Sequence, residues 1–128
     1  MDEGRALFLQ IAESVEDSIV GGTLAEQERA PSTNELAAFY RINPATAAKG
    51  VNMLVEKGIL YKRRGIGMFV AAGARAQLLA ERRAAFAERF IAPLLAEARK
   101  LDLDADDLTA LLREHAAAAS TTIEGTSP

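Results

Sequence analysis

A chain of 128 residues, 49% of them apolar, is long enough for one compact domain or a small domain with a helical appendage, and too apolar for a disordered tail. No run approaches the roughly 20 apolar residues that span a bilayer, and Met1-Asp2-Glu3-Gly4 lacks the basic start of a signal peptide, so the expectation is a cytoplasmic protein with no membrane partner. Cysteine is absent, which excludes a disulfide framework and a thiolate metal site, and the formal net charge of −3 argues at first against a nucleic-acid partner.

Leu7, Ile11, Val15 and Ile19, with Phe8, Ala12 and Val20 beside them, form one apolar stripe at helical spacing. They predict an amphipathic helix over 7–20, ended by Gly21-Gly22. Residues 23–31 read as a connection holding at most a very short strand. Ser32-Thr33-Asn34-Glu35 has the form of a capping box, in which Ser and Glu satisfy each other's free backbone N–H groups. A short helix should follow, with Leu36, Ala37 and Tyr40 turned inward. Arg41-Ile42-Asn43 makes a turn, and Asn43 caps a third helix whose first residue is Pro44, where proline forfeits no hydrogen bond. That helix runs through Val51, Leu54 and Val55 to Lys57, and Gly58 stops it. Two β-prone pieces, 59–62 and 68–70, flank the loop Arg63-Arg64-Gly65-Ile66-Gly67, which has hairpin length. Helix, short helix, turn, helix, hairpin is the order of a winged helix-turn-helix.

Charge is unevenly spread. Between Arg41 and Arg64 stand Arg41, Lys49, Lys57, Lys62, Arg63 and Arg64 against the single acid Glu56, a local excess of five in an acidic chain. Gathered basic charge is what phosphate contact needs, although such a run also suits an ordinary solvated face. A recognition helix offers its N-terminal residues to base edges. Here these are Pro44, Ala45 and Thr46, small enough for close approach, and Lys49, able to reach a guanine edge or a phosphate. At the wing, Arg64 beside Gly65 and Gly67 suits a narrow minor groove, and the glycines equally suit a tight hairpin.

The stretch from Ala30 to Val70 resembles the DNA-binding head of the GntR family. The resemblance is carried by Pro31-Ser32-Thr33-Asn34-Glu35-Leu36-Ala37, Ile42-Asn43-Pro44-Ala45-Thr46-Ala47-Ala48-Lys49, Leu54-Val55-Glu56-Lys57-Gly58-Ile59-Leu60 and Arg63-Arg64-Gly65-Ile66-Gly67-Met68-Phe69-Val70. The Asn-Pro-x-Thr-x-x-Lys start of the third helix is similar to the short YtrA-type branch. That likeness implies a head followed by two C-terminal helices, without the large ligand-binding domain of longer relatives. Candidate duplex contacts are therefore Ser32, Thr33 and Asn34, then Asn43, Pro44, Ala45, Thr46 and Lys49, and at the wing Arg63, Arg64, Gly65 and Gly67. Asn34 and Ala48 stand where family members often carry Arg, and Ile66 where the wing tip is commonly polar or basic. These departures bear on operator sequence and affinity, not on the fold.

After Gly73 the composition turns to Ala, Leu, Glu and Arg. A long helix is predicted over 74–101 with Leu79, Phe86, Phe90 and Leu94 on one stripe, widened by Leu78, Ile91, Leu95 and Ala98. Pro93 should kink or split it. Asp104 caps a last helix carrying Leu108, Leu111 and Leu112, with Asp106 and Asp107 suited to its positive end. Such a stripe cannot bury itself alone, so Leu79, Phe86, Phe90, Ile91, Leu94, Leu108, Leu111 and Leu112 are the candidate dimerisation residues. The expected organisation is a winged head over 1–73, a dimerisation region over 74–119 and a flexible tail over 120–128.

His115 lies at the edge of the last stripe and reads as a packing or surface residue rather than a metal ligand. The Asp102–Asp107 cluster lacks calcium-loop spacing and is better explained by capping. No phosphate loop or nucleophile motif supports an enzyme, and no metal or other cofactor is expected. The mainly α fold with a small β-hairpin wing thus points to a homodimeric repressor binding a palindromic operator in double-stranded DNA. A winged-helix protein-interaction module and a small-ligand sensor built around His115 are the alternatives. A small-molecule effector, which the sequence does not identify, would have to sit between helices or act on head spacing.

Overall fold

The computed structural model describes residues 6–126, with side chains through Ser120. They form two compact units, divided between Arg82 and Arg83.

In the first unit the order is α1 (Leu7–Val20), α2 (Thr33–Tyr40), α3 (Pro44–Glu56), β1 (Leu60–Arg63), β2 (Gly67–Val70) and the start of α4 (Ala74–Phe86). The apolar stripe of α1 buries Ile11, Ala12, Val15 and Ile19 against Ala47, Gly50, Val51 and Leu54 of α3. Gly50 permits that crossing: a Cβ there would lie 2.7 Å from the Phe8 carbonyl oxygen. Leu36 and Ala37 of α2, Ile59, Leu60 and Val70 of the hairpin, and Ala74 and Leu78 of α4 close the same core.

The connection 23–31 supplies a third strand-like segment. Arg29 bridges Phe69 in antiparallel sense, the Ala30 N–H donates to the Met68 carbonyl at 2.8 Å, and the Val70 N–H donates to Glu28 at 3.0 Å. β1 and β2 pair antiparallel from Leu60↔Val70 to Arg63↔Gly67. The Ile66 N–H closes their turn on the Arg63 carbonyl at 2.9 Å, with Gly65 at φ 76° where a type II turn demands positive φ.

Tyr40 departs from the expectation that it turns inward. It is 38% exposed, edge-on to Phe39, and its hydroxyl meets the Ser14 hydroxyl of α1, so the phenol finds its partner at the surface without burial.

The second unit continues α4 to Phe86, then forms a π-helical turn (Ala87–Ile91), α5 (Ala92–Lys100) and α6 (Ala105–Thr126). The strain expected at Pro93 is absorbed by the wide turn just before it, where the Ala92 N–H reaches back to the Ala87 carbonyl. Asp104 and Asp107 cap α6 reciprocally: the Asp107 N–H donates to Asp104 Oδ1 at 2.8 Å and the Asp104 N–H to Asp107 Oδ2 at 3.0 Å. α6 runs through Ser120 to Thr126, past the point where a polar tail was expected to begin; Ser127 and Pro128 lie outside the described residues. Within this unit Ala98 and Leu108 are buried, while Phe86 (55%), Phe90 (51%) and Leu112 (58%) stay exposed.

Candidate nucleic-acid interface

The helix-turn-helix is set by two local caps. Ser32 Oγ accepts from the Glu35 N–H at 3.0 Å, and the Ser32 N–H donates to Glu35 Oε1 at 2.8 Å. The Ser32 N–H and hydroxyl, helped by the nearby charge of Arg29, hold the Glu35 carboxyl below its ordinary range. α2 ends where Arg41 turns left-handed at φ 57°, which lets the Ile42 N–H bond to the Ala37 carbonyl at 3.0 Å. Asn43 then caps α3, accepting from the Ala45 N–H at 2.7 Å, with Pro44 at the first helical position.

With Ala47, Gly50, Val51 and Leu54 buried, helical spacing turns Ala45, Lys49 and Asn52 outward, and all three are exposed. Pro44 is also exposed, whereas Thr46 is half-buried on the flank of the helix. The Lys49 ammonium sits 4.1 Å from the centre of the Phe8 ring, so α1 holds this cation at the side of the outward face. Ser32 is committed to its cap; Thr33 is half-buried and Asn34 exposed on the first turn of α2.

At the wing, Arg63 lies over Phe69, its guanidinium carbon 5.1 Å from the ring centre, and Phe69 stacks on Tyr61 at 5.9 Å. Tyr61 donates in turn to Gln27 Oε1 at 2.6 Å. Arg64 and Gly65 are exposed at the turn. Gly67 has φ 139°, and the Arg29 guanidinium packs on it so closely that a Cβ there would meet Nε at 3.0 Å.

Two residues of this face went unread in the sequence. Asn52 falls three positions after Lys49 and seven after Ala45, so the helical period alone could have found it. Arg29 joins the wing only through pairing with β2, for which its own neighbourhood carries no strand pattern.

A model of the bacterial regulatory proteins of the gntR family matches residues 7–70, half of the chain. The chain belongs to the GntR family. Its winged head is the part of the chain that the family model matches. The HTH-type regulator YurK of Bacillus subtilis is 33% identical over 64 residues, covering 50% of this chain and 26% of YurK. The B. subtilis repressor YtrA is 27% identical over 73 residues, 57% of this chain and 56% of YtrA, in keeping with the branch that the start of α3 resembles. The match thus spans from about a quarter to about half the length of these curated relatives. A GntR-family protein from Bacteroides thetaiotaomicron superposes with a TM-score of 0.72 at 27% identity, covering 89% of this chain and 99% of that one. Among the described residues no helix is long and apolar enough to cross a membrane.

Proposed function

We propose that this GntR-family regulator is a repressor that binds a palindromic operator as a homodimer, each head placing α3 in the major groove and its wing against the adjacent minor groove. The observation that supports this most is the outward face of α3. Its first turns present only small residues and one cation, Pro44, Ala45 and Lys49, and Asn52 follows at the reach of a base edge. Arg29, Arg63 and Arg64 supply wing cations for phosphate and groove. A second copy would cover the apolar faces of α4, α5 and α6 and bring two heads to two half-sites, multiplying the affinity of each.

The test is fluorescence anisotropy of the full chain on duplexes tiled across the promoter region next to its own gene. The expected result is sequence-selective binding at low micromolar protein or better that weakens linearly in log–log salt plots. Lys49→Glu and Arg64→Glu should each abolish it. Unselective or salt-insensitive binding refutes the proposal, as does a reporter whose expression is unchanged when the gene is deleted.

A further inference from the structure

Residues 73–82 hold to the DNA-binding head far more tightly than a linker requires. Glu26 accepts the Gly73 N–H at 3.0 Å and the Arg75 N–H at 3.3 Å, capping the start of α4. Arg75 Nε donates to the Val20 carbonyl at 3.1 Å, at the end of α1. Ala74 and Leu78 are buried in the head's core. One turn on, Gln77 Nε2 donates to the Lys57 carbonyl at 3.1 Å, at the end of the recognition helix. The Lys57 ammonium itself bridges Glu16 Oε2 of α1 at 2.6 Å and Glu81 Oε1 of α4 at 3.0 Å. Arg82 then reaches Asp17 Oδ1 at 2.6 Å. Every turn of α4 up to Arg82 is therefore tied to α1, to the C-terminal end of α3, or to both.

We propose that this clamp makes the start of α4 a fixed extension of the recognition helix, and that Lys57, Glu81 and Arg82 are positioning residues that set which half-site spacing the regulator accepts. The inference rests on the two-half-site reading above. None of the three residues lies on the outward face formed by Ala45, Lys49 and Asn52. A helix held at its carboxyl end and along one side transmits the orientation of the head, whereas a loose junction would let each head find its half-site independently. Rigidity of this kind sharpens discrimination between spacings, because a mismatch in separation or helical phase cannot be absorbed at the junction.

The test uses the full chain and, as probe, the palindromic duplex that the wild-type protein selects from a randomised pool. Companion duplexes carry one half-site alone, or the two half-sites moved apart one base pair at a time. Wild type should lose affinity steeply as spacing departs from the selected one. Glu81→Ala and Arg82→Asp should bind the single half-site as wild type does, lose about tenfold on the selected duplex, and show a flattened spacing profile. The exchanged pair Asp17→Arg/Arg82→Asp should restore the profile, since this ion pair is exposed enough to be swapped. Variants that keep the wild-type spacing profile overturn the clamp. So do variants that weaken on all duplexes in parallel, which marks a merely structural role. A wild-type chain that selects no duplex overturns the operator reading, and the clamp with it.

Discussion

Gly50→Ala is the most diagnostic perturbation of the head, because two effects of known size oppose each other there. Removing a glycine from the middle of α3 favours the helix by about 1 kcal/mol. The added Cβ, however, would stand 2.7 Å from the Phe8 carbonyl oxygen and 3.2 and 3.3 Å from the Ile11 side chain. The nearest obstacle is backbone, which no rotamer change can clear. α1 would have to withdraw by about 0.7 Å to reach ordinary contact, and a gap of that size forfeits a quarter to a half of the dispersion well for facing atoms. The seam it would open holds Ile11, Val15, Ala47, Val51 and Leu54, all buried. Overpacking costs about 1–3 kcal/mol, and with rigid backbone as the obstacle the cost lies in the upper part of that range, about 2–3 kcal/mol. Less the helix gain, the net expectation is a loss of about 1–2 kcal/mol and a fall in Tm of roughly 5–15 °C for a domain this small. Both tyrosines, Tyr40 and Tyr61, lie in the head, so tyrosine fluorescence during urea unfolding follows this unit selectively. Asn52→Ala, exposed on the same helix, is the control that adds helix propensity without a clash. Should Gly50→Ala prove as stable as wild type, the close crossing of α1 and α3 would not be what glycine serves.

Asn52→Ala should also relax base preference at one operator position at a cost of about 1–3 kcal/mol, while Arg29→Ala should weaken binding to all sequences alike and lower the salt slope by about one; competition assays on single-base variants separate the two. Stability should fall with acid. Hydrogen bonds from Lys57 hold the Glu81 carboxyl below its ordinary 4.5, as Ser32 does for Glu35, so the stability they supply is complete above that pH and is lost as pH drops through their folded values. At the other end, burial opposes the charge of Lys57, but its bonds to Glu16 and Glu81 outweigh this and hold it above 10.5; that contribution is full below 10.5 and is lost as pH rises through the folded value. Urea midpoints measured across pH should show both flanks, and Glu81→Gln should shrink both. Finally, if the proposed homodimer forms through this face, Phe90→Asp should weaken self-association by about 2 kcal/mol or more, roughly thirtyfold, and leave a helical monomer in sedimentation equilibrium at concentrations where the unsubstituted chain self-associates.

What could be read from the sequence is what local chemistry decides. The Ser32–Glu35 box, the Asn43-Pro44 start and the hairpin glycines act within three or four residues, and each stands where its spacing puts it. Features that depend on distant partners stayed out of reach. Arg29 becomes a wing residue because β2 bridges to it, and nothing in Glu28-Arg29-Ala30-Pro31 alternates as a strand should. Lys57 counted among the basic residues of 41–64, yet it meets Glu16 across 41 residues and is neutralised there. Periodicity drew one stripe over 74–101; Leu78 in fact completes the core of the head, while Phe86 and Phe90 remain exposed. At Pro93 the steric rule foresaw a disruption but could not choose between kink and split. A single wide turn carries the chain past the proline with helix on both sides.

These assignments divide one helix of 13 residues into three surfaces with separable consequences. Ala47, Gly50, Val51 and Leu54 form a seam against α1, where a substitution should change stability and leave base preference alone. Ala45, Lys49 and Asn52 face outward, with only the Lys49 ammonium resting on the Phe8 ring of α1, so changes there should alter affinity or sequence choice at little cost in folding. The carboxyl end, at Lys57, faces neither core nor outward stripe: it gathers Glu16, Glu81 and the Gln77 amide. The acidic balance of the whole chain is no obstacle to DNA binding on this arrangement. Part of its negative charge is spent against Lys57 and Arg82, away from the arginines of the wing. A substitution in α3 that changes two of these properties at once would show that the surfaces are coupled through the helix itself rather than through their separate partners.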